Sequence, residues 1–269
     1  MATHLDKILA STRHDVEHRK RIADFAELEV RASGHKPRGF ARALRQCSRT
    51  RPAVIAELKK ASPSRGLIRP DFPVTALADM LEKAGAAALS VLTEQHFFQG
   101  SLENLQQASA SVSIPCLRKD FIVDEFQVLE ARAFGADAIL LIVAALEDAE
   151  LRRLTRAAHE HRLDVLCEIH DAEEAVRAVN LGCDAIGVNN RNLRTLEVRI
   201  ETSLELVEHL PKEVVRVAES GIHTAGEIAR LREVGYDAFL IGESLMRQAD
   251  PGQALANLLS MSAPREVSA

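Results

Sequence analysis

The feature that most constrains the fold is a repeated four-residue pattern, Gly-x-x-Ala. Four copies of it each lie between a stretch of helical periodicity and an apolar stretch. The copies begin at residues 85, 135, 182 and 235, so the intervals between them are 50, 47 and 53 residues. A glycine after a helix readily adopts the left-handed conformation that ends it, and a small residue lets the next strand begin close by. Each interval has the length of two strand–helix units. The copies are Gly85-Ala86-Ala87-Ala88, Gly135-Ala136-Asp137-Ala138, Gly182-Cys183-Asp184-Ala185 and Gly235-Tyr236-Asp237-Ala238.

Eight apolar stretches rich in β-branched residues alternate with amphipathic helices from residue 54 onward. Eight such units predict an α/β fold, a closed parallel (β/α)8 TIM barrel, because an open six-stranded sheet leaves two units unplaced. A chain of 269 residues has the length of one such domain. The predicted strands are Val54–Lys59, Ala88–Thr93, Cys116–Phe121, Ala138–Val143, Asp164–Ile169, Ala185–Asn190, Val214–Ser220 and Ala238–Gly242.

The first 50 residues have helical periodicity and contain no strand candidate. Leu5, Ile8 and Leu9 recur at helical spacing, as do Ile22 and Phe25 further on. We therefore predict an N-terminal helical extension over residues 1–50, packed on a barrel over residues 51–269 as one structural domain. Such an extension either covers part of the functional site or closes one end of the barrel.

Composition excludes several classes of function. The formal net charge of −5 gives no basic surface for nucleic acid. The sequence contains no run of about 18 apolar residues, so no membrane-spanning helix is predicted. The first residues lack the charged-then-apolar plan of a signal peptide, so the cytoplasm is expected. Cys47, Cys116, Cys167 and Cys183 show no Cys-x-x-Cys spacing, so neither zinc nor a disulfide framework is predicted. Cys116 and Cys167, inside predicted strands, are expected to be small buried residues.

Ionisable residues interrupt the predicted strands near their carboxyl ends, where barrels of this kind hold their active sites. Glu57 and Lys59 lie two residues apart, so both side chains point to one face of the first strand. Buried charges are costly unless they are paired, and charges from several strands predict an active site rather than a packing layer. Arg118 is expected to point away, towards the helices. The inward-facing candidates are Glu57, Lys59, Lys119, Glu168, Asn189, Arg191 and Glu219.

A phosphate site is predicted where the last two strands end. Gly221 and Gly242 let a ligand approach the backbone, and Glu243 begins a short helix whose N–H groups attract an anion. Ser62 and Ser64, on the first loop of the closed ring, can complete the anion cup.

The remaining loops offer a wall for the substrate but no metal site. Phe98 lies in a long second loop, which is either an apolar wall for an aromatic substrate or a lid. His96, His170 and His223 have no partner at metal-ligand spacing, so we interpret them as polar loop residues and predict no metal.

Longer motifs resemble the indole-3-glycerol-phosphate synthase family of tryptophan biosynthesis over nearly the whole chain. Glu-x-Lys followed by Ser-Pro-Ser, together with Lys-Asp-Phe-Ile on the third strand, is more specific than any pair of glycines. The matching stretches are Leu5–Ile8, Ile55–Ser64, Leu92–Glu94, Arg118–Ile122, Glu168–His170, Gly187–Leu193 and Ala218–Ile222.

The resemblance implies conversion of 1-(2-carboxyphenylamino)-1-deoxyribulose 5-phosphate to indole-3-glycerol phosphate, carbon dioxide and water, with no cofactor. By similarity Lys119 is the general acid that protonates the ketone oxygen, and Glu168 is the general base for the loss of water. Burial is expected to lower the pKa of Lys119 towards neutrality and improve it as a donor. The resemblance further implies that Lys59 and Glu57 orient and polarise the substrate, and that Asn189 and Glu219 align its hydroxyl and amine groups. Arg191 is expected to support its anionic groups, and Phe98 and Phe121 to pack on its aromatic ring. The residues expected to bind phosphate are Ser62, Ser220, Gly221 and Gly242.

One position departs from the family, whose members often carry a serine where this chain has Glu243. Only its backbone N–H is expected to bind phosphate, because the carboxylate would repel the anion. Two alternatives stay open: another phosphate-binding barrel enzyme of tryptophan or histidine biosynthesis, and an inactive barrel scaffold. Strand ends that carry glutamate, lysine and asparagine count against the first, and intact Lys119 and Glu168 count against the second. A monomer is expected, and association with other enzymes of the tryptophan pathway stays open.

Overall fold

The computed structural model describes residues 3–193 and 195–262, and within them eight parallel strands close into a barrel. Each strand pairs with the next in sequence, and the eighth pairs with the first, so the predicted fold is confirmed. The strand ends differ from the predicted ones by at most two residues. The strands are β1 Ala53–Leu58, β2 Ala88–Leu92, β3 Cys116–Lys119, β4 Ala138–Ile142, β5 Asp164–Ile169, β6 Ala185–Asn189, β7 Val215–Glu219 and β8 Ala238–Ile241.

Helices precede the barrel and separate its strands. A short hairpin with two residues in each strand, Ala61–Ser62 and Gly66–Leu67, follows β1. One 3-10 turn, Val143–Ala145, follows β4, and a second, Val207–His209, follows the ninth helix. The predicted second unit runs to residue 269, and its residues 194 and 263–269 lie outside the described part of the chain. The helices are α1 His4–Ile22, α2 Phe25–Gly34, α3 Phe40–Ser48, α4 Val74–Lys83, α5 Leu102–Ser111, α6 Glu125–Ala133, α7 Asp148–Glu160, α8 Ala172–Val179, α9 Glu201–Leu206, α10 Ala225–Glu233, α11 Glu243–Met246 and α12 Pro251–Ser262.

The repeated four-residue sequence does more than end helices. All four of its glycines have positive φ, between +68° and +108°, as the helix-ending prediction requires. Its aspartates also accept a hydrogen bond from the backbone of the preceding strand: Asp137 from Cys116 N at 2.7 Å, and Asp184 from Val165 N at 2.9 Å. The three copies that contain aspartate therefore join the new strand to its neighbour at the amino-terminal end of the barrel.

The extension closes that amino-terminal end. Phe40 and Leu44 of α3 are fully buried and pack with the barrel-interior residues at the strand starts, such as Ala53. Before α3, Arg38 donates through Nε and Nη2 to the buried Asp137 carboxylate at 2.9 and 2.6 Å. His35 and the backbone N–H of Arg38 share the same carboxylate. These contacts lower the pKa of Asp137 although burial alone would raise it.

The other end of the extension reaches the opposite rim. Arg19 of α1 makes a bidentate pair with Glu130 of α6, at 2.8 and 3.0 Å. Leu5 and Ile8 line the cavity at the carboxyl ends of the strands. The extension therefore combines both of the roles left open from the sequence: α3 closes one end of the barrel, and α1 covers part of the cavity at the other.

The cysteine prediction is wrong in one respect. Cys167 of β5 and Cys183, in the loop before β6, form a disulfide across neighbouring units, with a Cα–Cα distance of 6.4 Å. Residues 16 apart in sequence meet because adjacent parallel strands bring their flanking loops together, and Cys-x-x-Cys spacing does not report such a contact. Cys116 is a free buried thiol, as expected. Across the described residues, no helix is both long enough and apolar enough to cross a bilayer.

Candidate active site

Charged side chains on four strands, and others that directly follow strands, meet in a cavity at the carboxyl ends of the barrel. Glu57, Glu168 and Glu219 are each 2% exposed or less, which is rare for carboxylates without cationic partners. Lys59, just after β1, forms an ion pair with Glu57. The residues that the sequence predicted to face inward are therefore brought together around one space: Glu57, Lys59, Lys119, Glu168, Asn189, Arg191 and Glu219 all line this cavity.

Lys119, the last residue of β3, lies at the centre of the carboxylates. Its Nζ is 3.1 Å from Glu168 Oε2 and 3.8 Å from Glu219 Oε2. Burial lowers the pKa of Lys119, but attraction by Glu168, Glu219 and Glu57 outweighs burial, and the net pKa is raised. The sequence-based expectation of a lowered pKa is wrong because three carboxylates from three other strands surround the ammonium.

The two carboxylates beside Lys119 have opposite pKa shifts. Burial favours the neutral form of each, and Lys119 with His170 reverses that effect at Glu168, whose pKa is lowered. At Glu219 burial and the neighbouring negative charge of Glu168 raise the pKa to about 8. Glu168 is therefore ionised at neutral pH, and Glu219 keeps its proton.

Two glycines make room for these glutamates. An alanine Cβ at position 187 would overlap Glu219 Oε1 and lie 3.1 Å from its Cδ. An alanine Cβ at position 242 would lie 2.5 Å from Glu57 Oε1. Gly242 therefore lies against the Glu57 side chain, and its contact with phosphate stays a prediction.

Arg118 points outward as predicted, into a buried polar network behind Lys119. Its guanidinium donates to Asp120 Oδ2 at 2.9 Å and to the Gln127 carbonyl at 2.7 Å. It also lies 3.3 Å from Glu130 Oε2, the carboxylate that Arg19 of α1 holds. The network holds the end of β3 against α6 and the extension. It therefore fixes the backbone position from which the Lys119 side chain enters the cavity.

The predicted phosphate end has an unusual backbone. Ser220 and Gly221, directly after β7, have φ of +65° and +74°. Serine rarely adopts the left-handed region, at a cost of about 1–3 kcal/mol, and such residues concentrate at functional sites. Ser62 and Ser220 both line the cavity there, and Ser62 Oγ is 3.5 Å from Ser64 Oγ.

The Glu243 side chain lies at the cavity but is surrounded by cations. Its Oε1 is 3.0 Å from Arg65 Nε and 3.2 Å from Arg247 Nε, and its Oε2 is 3.9 Å from Arg191 Nη2. Three guanidinium groups therefore offset the carboxylate that the sequence placed beside phosphate. Arg191 Nη1 also donates to the Leu196 carbonyl, so this arginine is tied to its own loop.

An aromatic wall faces the charged cluster. The Phe98 and Phe121 rings lie 6.2 Å apart between centroids, tilted by 40°, and both line the cavity. The loop that carries Phe98 is held by buried Glu94, which accepts hydrogen bonds from the backbone N–H groups of Phe97 at 2.7 Å and Phe98 at 3.0 Å.

The histidines do not form a metal centre. His96 Nε2 pairs with Asp15 Oδ2 of α1 at 3.0 Å, which fastens the second loop to the extension. His170 Nε2 lies 3.4 Å from Glu168 Oε1, so it neighbours the charged cluster. Within residues 3–193 and 195–262 no group of three or more His, Cys, Asp or Glu side chains has the arrangement of a metal site.

A larger cavity, of about 1240 Å³, opens at the amino-terminal end of the barrel. Its lining arginine Arg132 donates to the carbonyl oxygens of Ala32 at 2.9 Å, His35 at 2.5 Å and His161 at 2.7 Å. Arg45 similarly donates to the Glu213 carbonyl. These guanidinium groups join loops to one another and so hold this end of the barrel together.

The sequence reasoning missed several members of the site. Gly187 could have been predicted, because a glycine in the middle of a strand indicates that another group approaches the backbone closely. Glu94 lies in the matching stretch Leu92–Glu94, but its role in holding the second loop was not predicted. Glu174 was readable from its spacing, four residues after His170 and three after the Asp171 helix cap.

The chain is similar to proteins of one family over almost its full length. A family model described as "Indole-3-glycerol phosphate synthase" matches residues 5–258. A protein of that name from Koribacter versatilis (strain Ellin345) is 59% identical over 259 residues, covering 96% of this chain and 100% of that one. Another, from Laribacter hongkongensis (strain HLHK9), is 48% identical over 263 residues, covering 97% and 100%.

Solved structures of lower identity share the fold. The 3-hexulose-6-phosphate synthase from Salmonella typhimurium superposes with a TM-score of 0.60 at 13% identity, covering 78% of this chain and 99% of that one. At this identity the likeness concerns the barrel alone.

Proposed function

This chain belongs to the indole-3-glycerol phosphate synthase family, and from that premise we propose how its cavity performs the reaction. The chain converts 1-(2-carboxyphenylamino)-1-deoxyribulose 5-phosphate to indole-3-glycerol phosphate, with loss of carbon dioxide and water. The observation that carries the proposal is the ammonium of Lys119, 3.1 Å from Glu168 and 3.8 Å from Glu219, between an aromatic wall and a phosphate end.

Substrate binding uses the two ends of the cavity. The phosphate binds at Ser220, Gly221 and Ser62, and the substrate's aromatic ring packs on Phe98 and Phe121. With the substrate bound in this orientation, the ketone carbon lies near Lys119, because the ribulose chain joins the phosphate to the ring. The arginines around the Glu243 carboxylate reduce its repulsion of phosphate, and Arg191 is near enough to serve the substrate's anionic groups.

Lys119 acts as the general acid in ring closure. Its raised pKa keeps it fully protonated at neutral pH. As the aromatic carbon attacks the ketone carbon, negative charge develops on the ketone oxygen, and an alkoxide is a far stronger base than an amine. An ammonium of high pKa therefore still transfers its proton in the transition state. The ring nitrogen accepts the positive charge of condensation, and loss of carbon dioxide restores aromaticity.

Glu168 acts as the general base in the loss of water, and the departing hydroxyl takes its proton from Lys119, which solvent reprotonates after ring closure. Its lowered pKa makes it a weak base, but the proton that it removes lies next to a cationic nitrogen and is correspondingly acidic. Glu219, neutral at pH 7, donates a hydrogen bond to the substrate, while Asn189 and the Lys59–Glu57 pair orient its hydroxyl and carbonyl groups. No step in this sequence requires an external electron sink.

We further propose, for the chain as a whole, a cytoplasmic monomer of one structural domain, with residues 1–50 as an extension of the barrel over residues 51–269. The salt bridges that join Arg19 of α1 and Arg38, just before α3, to the barrel support treating these segments as one folding unit.

The test is turnover of the proposed substrate by the purified chain with no added cofactor. We expect the indole product, followed by its fluorescence, and carbon dioxide in equal amounts. Lys119→Met is the matched control, which should fold and bind a phosphorylated analogue but form no product. Failure of the unmodified chain to form product, or isomerisation of phosphoribosylanthranilate instead, would overturn the proposal.

A further inference from the structure

The base of the proposed reaction lies between the ammonium of Lys119 and the imidazole of His170. Lys119 Nζ lies 3.1 Å from Glu168 Oε2, and His170 Nε2 lies 3.4 Å from the other oxygen, Oε1. The distance to His170 is that of an ion pair rather than of a well-formed hydrogen bond. Each oxygen of a carboxylate that is 1% exposed therefore faces a nitrogen, one from β3 and one from the loop after β5.

The imidazole of His170 is itself held from behind. Its Nδ1 lies 3.1 Å from Glu174 Oε2, and the backbone N–H of His170 donates to the same oxygen at 2.8 Å. The backbone of Glu174 is fixed in turn by Asp171, which accepts from Glu174 N at 2.9 Å at the start of α8. With one carboxylate at each nitrogen, the pKa of His170 rises to about 10 although burial alone would lower it.

The ring also lies between two spaces. Glu168 lines the active-site cavity, whereas His170 and Glu174 line a neighbouring cavity of about 650 Å³ under the loop after β6. A smaller side chain at position 170 would bring the second space closer to the buried base. The imidazole therefore supplies charge and also fills the volume behind Glu168.

We propose that His170 is a positioning residue for the reaction: as an imidazolium anchored by Glu174, it holds the Glu168 carboxylate ionised and correctly oriented for the dehydration step. This rests on the role proposed above for Glu168. The charged and polar groups that face Glu168 are Lys119, His170, Glu219 and Asn189, and those that face His170 are Glu168 and Glu174.

The role makes a specific demand on pH dependence. An opposite charge within about 4–6 Å lowers a carboxyl pKa by about 1–3 units, so its removal raises the pKa of Glu168 by a similar amount. Glu168 then begins to take up a proton as the pH falls through the acid range, and the protonated form is inactive as a base. A residue that only caps α8 would reduce activity equally at every pH.

The experiment measures kcat/KM of His170→Asn and of the unmodified enzyme from about pH 8 to about pH 3.5, as a ratio at each pH. The ratio cancels ionisation of the substrate phosphate, which both enzymes share. We expect a constant ratio above about pH 7 and a fall of at least about threefold by about pH 3.5, where a rise of about three units in the pKa of Glu168 leaves most of the variant protonated. Glu174→Gln, which keeps the ring and removes its anchor, should give a smaller fall in the same direction.

His223→Asn is the matched control. His223 precedes α10 as His170 precedes α8, and its backbone N–H donates to Glu227 Oε2 at 2.8 Å in the same arrangement, but His223 is exposed and outside the cavity. Its ratio should stay flat. A pH-independent ratio for His170→Asn overturns the proposal, and if that variant fails to fold by circular dichroism, a flat ratio for Glu174→Gln overturns it. Full activity of Glu168→Gln would instead refute the underlying role of Glu168.

Discussion

Gly187→Ala is the sharpest test of how the charged cluster is assembled. Gly187 lies in β6, in register with Glu168 of β5, and its missing side chain leaves the space that Glu219 Oε1 occupies. An alanine Cβ there overlaps that oxygen and lies 3.3 Å from Leu166 Cδ1, so the surroundings cannot relax freely. Restoring an ordinary contact requires the Glu219 carboxylate to retreat by about 1 Å. A displacement of that size in a catalytic constellation costs about 10²-fold in rate.

The assay follows indole fluorescence at steady state, with thermal unfolding measured in parallel. We expect kcat/KM to fall by about 10²-fold, while overpacking lowers the free energy of unfolding by about 1–3 kcal/mol. Gly226→Ala is the matched control, because its Cβ meets nothing closer than 3.9 Å and the position lies in the first turn of α10. Activity of Gly187→Ala within twofold of the unmodified enzyme would show that Glu219 does not need this space.

Three further predictions concern the carboxylates. Glu168→Gln should slow dehydration by about 10²–10⁴-fold, so that condensation becomes faster than dehydration in this variant. A dihydroxy intermediate should then accumulate and be detected by rapid quenching, and equal slowing of both steps would contradict this. Folded Glu219 keeps its proton to about pH 8, whereas the unfolded chain loses it near 4.5, so the free energy of unfolding falls as pH rises between these values. Glu219→Gln removes this loss, and its melting temperature relative to the unmodified enzyme should rise from pH 5 to pH 8, which a flat difference would disprove. Glu243→Gln should free Arg65 and tighten competitive inhibition by inorganic phosphate by about threefold or more, and weaker inhibition would assign the carboxylate a purely organising role.

The barrel was predictable because its signals are local. Glycine-ended helices and apolar β-branched stretches each occupy fewer than about ten residues, and their order alone selects a closed parallel sheet. The inward face of Glu57 and the outward face of Arg118 were predictable for the same reason, since strand periodicity determines them.

What was not predictable depends on distances between segments far apart in sequence. The raised pKa of Lys119 follows from carboxylates on three other strands, and no local rule states whether they or burial dominate. The Cys167–Cys183 disulfide depends on how two neighbouring units face each other. The arginines around Glu243 come from the first loop, the sixth strand end and the residue after α11, so their convergence is visible only in three dimensions.

The charge balance of the cluster explains why one glutamate must stay neutral. The substrate brings a carboxylate and a phosphate, and an excess of negative charge would exclude it from a cavity of low dielectric. Three cations are matched by three anions in the cluster and directly behind it, and Glu219, with its pKa of about 8, adds no charge at pH 7. Ionisation of Glu219 would leave the cluster with one uncompensated negative charge beside the substrate carboxylate, so affinity for substrate should fall as pH rises through about 8. The three cations are Lys59, Lys119 and His170, and the three anions are Glu57, Glu168 and Glu174.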